Sequence, residues 1–193
     1  MSRSRRLPNF LRGPEAELLL VTAQAQLDAA VTPSKRRAAA LDLIIIQTGL
    51  QSGLRVSELC DLRIEDLDMG QATLLVVQGK GGKDRMLPVG TKLLEVLRAW
   101  IAGRRDGLVF PSPRGGRLSE RTIQLRLGAL GKLAILPRAL KPHTLRHTFA
   151  TRLLERGANI REAQELLGHE SVATTEIYAH VAPDRLRGAV ERL

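Results

Sequence analysis

The sequence predicts a mainly α-helical protein carrying one small antiparallel β-sheet, an α+β class. Apolar residues recur at helical spacing along most of the chain, and strand-type residues are confined to one place. There, Ala72–Val77 and Asp84–Val89 flank Gln78-Gly-Lys-Gly-Gly-Lys83, whose glycines admit the positive φ of a hairpin turn. With 193 residues, 44% of them hydrophobic, the chain is long enough to bury one real core.

The elements follow in order. Ser2–Gly13 holds four arginines, breakers and a proline, and reads as a flexible basic arm. Glu15–Ala30 has helical composition and an apolar face. Lys35–Thr48 is a second helix, apolar enough through Leu41–Ile46 to lie in the core. Gly49 and Gly53 punctuate, and Val56–Leu62 begins a third helix. Ile64–Asp68 is a candidate third strand beside the hairpin. Thr91–Ala102 returns to helix, Pro111–Gly116 is a loop, and Ser119–Lys132, Thr144–Arg156, Ile160–Leu167 and a segment after Pro183 complete a helical second half. Cys60 and Trp100 read as core, and His147 and His180 as structural.

Charge narrows the function classes. Thirty Lys and Arg stand against 20 Asp and Glu, a formal net charge of +10, and the excess is uneven. Residues 41–110 balance at nine of each sign, whereas 111–193 carry 14 basic and 8 acidic side chains. Arg114–Arg146 holds eight cations and one acid, Glu120, and 24 of the 30 cations are Arg, whose planar fork suits phosphate. A polyanionic partner such as nucleic acid is expected. Aromatics are only 3%, too few for a surface that grips single strands by stacking. The one cysteine excludes an intrachain disulfide, and the apolar runs are too short to span a membrane.

Gly79-Lys-Gly-Gly-Lys-Asp84 lacks the spacing and the Ser/Thr of a nucleotide-binding phosphate loop and joins strands instead of opening a helix. The four histidines include the i,i+4 pair His143 and His147, with no cysteine or carboxylate cluster to complete a metal set. The informative pattern is different. His143-Thr-Leu-Arg146 projects a histidine and an arginine from one helix face. His169 follows 23 residues after Arg146, and Tyr178, the only tyrosine, nine residues later. Upstream, Gly53-Leu-Arg55-Val-Ser-Glu58 places an arginine at a helix start with a carboxylate one turn on to hold it.

Four blocks, TGLQSGLRVSEL, VVQGKGGKDRMLPV, KPHTLRHTFATRLLERG and LLGHESVATTEIYAHV, together resemble the catalytic domain of the tyrosine recombinase (phage integrase) family, most of all its XerC/XerD branch. The likeness runs from about Glu15 to the C-terminus. It implies that family's fold, a helical domain with a small antiparallel sheet at one edge. It also implies the catalytic set: Arg55 and Arg146 as the paired arginines, Lys80 as the hairpin lysine, His143 and His169 as the two histidines, and Tyr178 as nucleophile. The expected activity is site-specific DNA recombination through a covalent 3′-phosphotyrosyl intermediate, with no metal, ATP or other cofactor. The expected partner is double-stranded DNA, bound by a homo-tetramer or a hetero-tetramer with a related recombinase, in the cytoplasm on the nucleoid and not at a membrane. Residues 1–14 read as the arm or a linker, and 15–193 as the catalytic domain with the core-binding domain of longer members absent. Residues 179–193 read as a tail for docking on a neighbouring subunit through Leu186, Val190 and Leu193.

The residue types suit that chemistry. Breaking and rejoining a strand without ATP requires that phosphodiester energy be kept in a covalent bond, which a tyrosine phenol can form and later release. Two permanently charged arginines clamp the non-bridging oxygens where negative charge gathers. A phenol of ordinary pKa about 10 needs a base or electrostatic help at neutral pH, and His143 is the candidate, with a purely positional role equally open. Lys80 is placed to protonate the departing 5′-oxygen. Two other readings stay open from the sequence: a DNA-binding regulator descended from a recombinase, and a type IB topoisomerase-like relaxing activity.

Overall fold

A computed structural model describes residues 10–77, 84–168 and 190 of the chain. Seven helices and one three-stranded sheet are described. Helix α1 spans Gly13–Asp28, α2 Pro33–Ser52 and α3 Val56–Asp61, followed by the strands β1 (Leu67–Asp68), β2 (Thr73–Val76) and β3 (Arg85–Pro88). The second half is α4 (Thr91–Ile101), α5 (Glu120–Leu133), α6 (Pro142–Glu155) and α7 (Ile160–Leu167). The mainly helical class with a small antiparallel sheet is thus the observed one.

Helix α2 is the centre. Its run Ile44-Ile45-Ile46 and Leu50 are all buried, and α1, α4, α5 and α6 pack around it. A helical stretch apolar through several consecutive residues has no wet face and lies inside, while the first turn of α2, residues 33–37, stays exposed. Thr32 caps its start, accepting from the Lys35 amide at 3.2 Å, with Pro33 at the first helical position. Arg126 of α5 pins it from the side, donating to the Asp42 carboxylate at 2.5 Å and to the Ala38 carbonyl at 2.7 Å.

The sheet is antiparallel in the order β1-β2-β3, with Leu74 opposite both Leu67 and Leu87, and Val76 opposite Arg85. Leu74 and Leu87 face the core, and Met86 faces out. The segment expected as a third strand is mostly something else. Ile64–Asp66 is a 3-10 turn, because the Asp66 carboxylate accepts from the Arg63 amide at 2.9 Å and closes a capped turn. Only Leu67 and Asp68 remain to pair.

Three further placements differ from the sequence reading. Leu11, in the stretch read as a flexible arm, is buried, and its amide donates to Thr148 Oγ1 of α6 at 2.8 Å. Val190, one of three residues read as a stripe for a neighbouring subunit, is buried in this chain's own core beside Gly90. Leu186 and Leu193 lie outside the described residues. His147 is exposed, because four residues after His143 it shares that residue's outward face, while Leu145 and Phe149 turn inward. Cys60 is buried, and burial raises its thiol pKa to about 11. Trp100 packs against the core and donates to the Val109 carbonyl at 2.6 Å.

Helix α2 stops at Gly53, which takes φ +63°, a left-handed conformation that side chains with a Cβ rarely adopt. A Cβ there would sit 2.4 Å from Phe149 Cδ1, inside contact distance. Replacing Gly53 by Ala is therefore expected to cost about 2 kcal/mol or more in urea unfolding, from strain and overpacking together. A loss under about 0.5 kcal/mol would mean that α2 and α6 do not meet in this way.

Candidate active site

The candidate site is assembled where α2, α3 and α7 end or begin beside α6. Arg55 is the residue that starts α3, and Glu58, three residues on, folds back so that its carboxylate accepts from the Arg55 amide at 2.7 Å. The same carboxylate accepts from Arg55 Nη1 at 2.7 Å. It also takes both outer nitrogens of Arg85, the first residue of β3, each at 2.8 Å. One carboxylate therefore receives four charged or backbone donors, which fills its acceptor positions.

Arg55 Nη2 donates to the Gly168 carbonyl at 2.9 Å. Arg146, in the second turn of α6, donates from Nη1 to the Gly53 carbonyl at 2.7 Å and from Nη2 to the Leu167 carbonyl. Two arginines 91 positions apart in the chain thus end on the carbonyls of consecutive residues, 167 and 168. Those carbonyls close α7, and Gly53 closes α2. Helix C-termini present unpaired carbonyl oxygens and the negative end of the helix dipole, so they are natural seats for cations. Each guanidinium uses two N–H groups on these contacts, and among the described residues nothing takes the other three.

Electrostatics follow from that crowding. The Glu58 side chain is only 7% exposed. Burial pushes its pKa up, but the hydrogen bonds from Arg85 and from the Arg55 amide and guanidinium, with the charge of Arg85, outweigh burial and hold it at about 2. Burial, then repulsion from Arg55, lowers Arg146 to about 10, so it stays charged at neutral pH. Two guanidinium cations share one carboxylate, and a third, Arg146, is close enough to be repelled by both.

His143 lies in the first turn of α6, on its exposed side, after Pro142 at the first helical position. Lys80, His169 and Tyr178 lie outside the described residues, although Gly168 immediately precedes His169 in the chain. Of the six residues singled out in the sequence, Arg55 and Arg146 are brought together around one helix end. Arg85 was missed. The period-2 pattern of β3 held the signal, since Arg85 shares the inward parity of Leu87. Among the described residues no three His, Cys, Asp or Glu side chains converge as a metal site would need. No described helix is long and apolar enough to cross a membrane.

A small antiparallel sheet on a helical body carries two arginines held at helix ends, and the chain belongs to the phage integrase family, whose profile matches residues 10–185. It is similar to the tyrosine recombinase XerC of Actinobacillus pleuropneumoniae serotype 7 (strain AP76), 40% identical over 183 residues, which cover 92% of this chain and 56% of the relative. The crystal structure of XerA recombinase superposes with a TM-score of 0.72 at 32% identity, covering 95% of this chain and 64% of that one. The XerH site-specific recombinase, bound to palindromic difH substrate in a post-cleavage complex, superposes with a TM-score of 0.71 at 27% identity, covering 95% of this chain and 53% of that one. The chain spans about half the length of the curated relatives it matches.

The Glu58 carboxyl lies below its ordinary value of 4.5 in the folded protein, so ionised Glu58 stabilises the fold. That contribution, on the order of 3 kcal/mol, is full above pH 4.5 and fades as pH falls towards 2. Urea unfolding of the chain and its Glu58→Gln variant is expected to show a gap at neutral pH that narrows steadily through this window. A gap independent of pH would mean that Glu58 is not the ionised hub.

Proposed function

We propose that this chain carries the breaking and rejoining chemistry of a site-specific DNA recombinase, through a covalent 3′-phosphotyrosyl intermediate and without metal or ATP. The observation that carries the proposal is the pair of guanidinium groups, Arg55 and Arg146, seated on consecutive carbonyls at the end of α7 with three N–H donors on each that no described residue takes. Such a pair fits the two non-bridging oxygens of one phosphodiester.

In this reading the Tyr178 phenolate oxygen attacks phosphorus and the P–O5′ bond breaks. The electron pair leaves on the 5′-oxygen, which takes a proton from Lys80. Arg55 and Arg146 neutralise the charge that gathers on the non-bridging oxygens, and each clamp donor is worth a few kcal/mol in a site that excludes water. His169 adds a further donor, and His143 receives the phenol proton or orients the phosphate. Attack by a free 5′-hydroxyl of another strand reverses every bond change and releases Tyr178, so no external energy is needed. The substrate is double-stranded DNA, gripped through the arginine-rich second half. Residues 15–193 form the catalytic domain, preceded by the basic stretch 1–14. Strand exchange needs four active sites, two for each duplex, so the working unit is a tetramer of this protein or of it with a related recombinase, acting on the nucleoid.

A suicide duplex, nicked beside the scissile phosphate and drawn from a pool of inverted-repeat sites, tests this in EDTA on a denaturing gel. A protein–DNA adduct is expected. Tyr178→Phe is expected to abolish it with DNA affinity unchanged, and Arg146→Ala to slow it by about 10²–10³-fold. Salt-sensitive DNA binding with no adduct would move the assignment to a DNA-binding regulator, and an adduct that survives Tyr178→Phe would remove the nucleophile assignment.

A further inference from the structure

We infer that Arg85 is a positioning residue of the cleavage site, holding Arg55 in its phosphate-binding pose through the carboxylate that the two arginines share. The inference rests on the function proposed above and adds to it a residue outside the six assigned there.

Arg85 is 14% exposed at the side chain and meets Glu58 fork to fork, both contacts at 2.8 Å. Glu58 in turn holds the Arg55 guanidinium at 2.7 Å. Remove Arg85, and two acceptor positions of a buried carboxylate fall open directly beside Arg55. The Arg55 guanidinium is the nearest donor, and turning it wholly onto Glu58 takes it off the Gly168 carbonyl and away from the substrate.

Arg85 also touches that carbonyl's own residue. Gly168 takes φ +61°, and a Cβ on it would lie 3.0–3.2 Å from Arg85 Cδ, Nε and Cζ. The arginine stem therefore lies flat on the backbone that seats Arg55, where no larger residue leaves room. Its two outer nitrogens both go to Glu58, and its Nε is buried with no hydrogen-bond partner among the described residues. Finally, Arg85 begins the strand that follows Lys80 by five residues and is paired with Val76 across the sheet. One side chain thus ties the sheet to the start of α3 and the end of α7.

The test compares the full chain with its Arg85→Met and Arg85→Lys variants on nicked suicide duplexes that differ at one atom. One carries the ordinary scissile phosphate, and the other a methylphosphonate, which lacks one charged non-bridging oxygen and so asks less of the arginine clamp. On phosphate, Arg85→Met is expected to slow adduct formation about tenfold or more while DNA affinity stays within about twofold. On methylphosphonate the same variant is expected to come within about threefold of the unsubstituted chain. Arg85→Lys, which keeps the charge and loses the fork, is expected to fall between; it carries the comparison if Arg85→Met does not fold. Equal slowing on both substrates would make Arg85 a merely structural residue and overturn the inference, as would no slowing on either. Failure of the unsubstituted chain on both substrates would instead overturn the recombinase reading, and this inference with it.

Discussion

The constraint on which the site depends is that one buried carboxylate, Glu58, is shared by two arginines. An isolated carboxylate in that position would be costly, and burial alone raises its pKa. Four donors reverse the balance. The consequence is mutual: Glu58 stays ionised because Arg55 and Arg85 face it, and both arginines are held because Glu58 offers Oε1 to the Arg55 guanidinium and both oxygens to Arg85. Arg55, Arg85 and Arg146 are gathered into one cluster of cations. Cations repel, and Arg146 feels that repulsion from Arg55 and Arg85. One shared anion relieves enough of it to make the cluster stable while leaving it net positive.

Backbone carbonyls supply the remaining restraint. Gly53, Leu167 and Gly168 stand at the C-terminal ends of α2 and α7, and their oxygens hold Arg146 and Arg55 without neutralising them. A carboxylate in the same places would cancel the charge of the guanidinium groups; a carbonyl orients them and leaves their charge in place. Both helices turn off at glycines in the left-handed region, so the chain conformation that ends the helix also aims the oxygen. Asn159 caps the other end of α7, its side chain accepting from the Glu162 amide at 2.9 Å, which fixes where that short helix begins.

Behind the site, the frame is apolar and ordinary. Phe149 fills the space under Gly53, and Leu145 and Leu153 continue the buried face of α6, so Arg146 and His143 are carried by a helix that cannot rotate. Ion pairs at the edges act as braces between elements distant in sequence. Arg126 joins α5 to α2, and Arg117 joins the loop before α5 to Asp61 at the end of α3, with Nη2 2.7 Å from the carboxylate. The second brace is substantially exposed and adds little stability, but it ties the loop leading into α5 to the end of α3.

Much of this was legible in the chain. Apolar spacing located all seven described helices to within a few residues, since burial of a helix face imposes a 3.6-residue period that survives any tertiary arrangement. The single hairpin was equally plain, because its strand residues and glycine-rich turn occur nowhere else. Arg55 and Arg146 were legible through their motifs, and the Arg55–Glu58 contact through its spacing on one helical turn. The 3-10 turn at Ile64–Asp66 was not, because a capping carboxylate overrode β-type residues. Nor were the burial of Leu11 and Val190, whose partners lie far along the chain. The sequence by itself determined the elements, the basic balance and which residue types were available, because these depend on local spacing. Only the tertiary structure decided that Arg85 joins Arg55 on Glu58 and that Arg55 and Arg146 end on neighbouring carbonyls. Those contacts join residues 21 to 113 positions apart, and no local pattern encodes which distant carbonyl a guanidinium will meet.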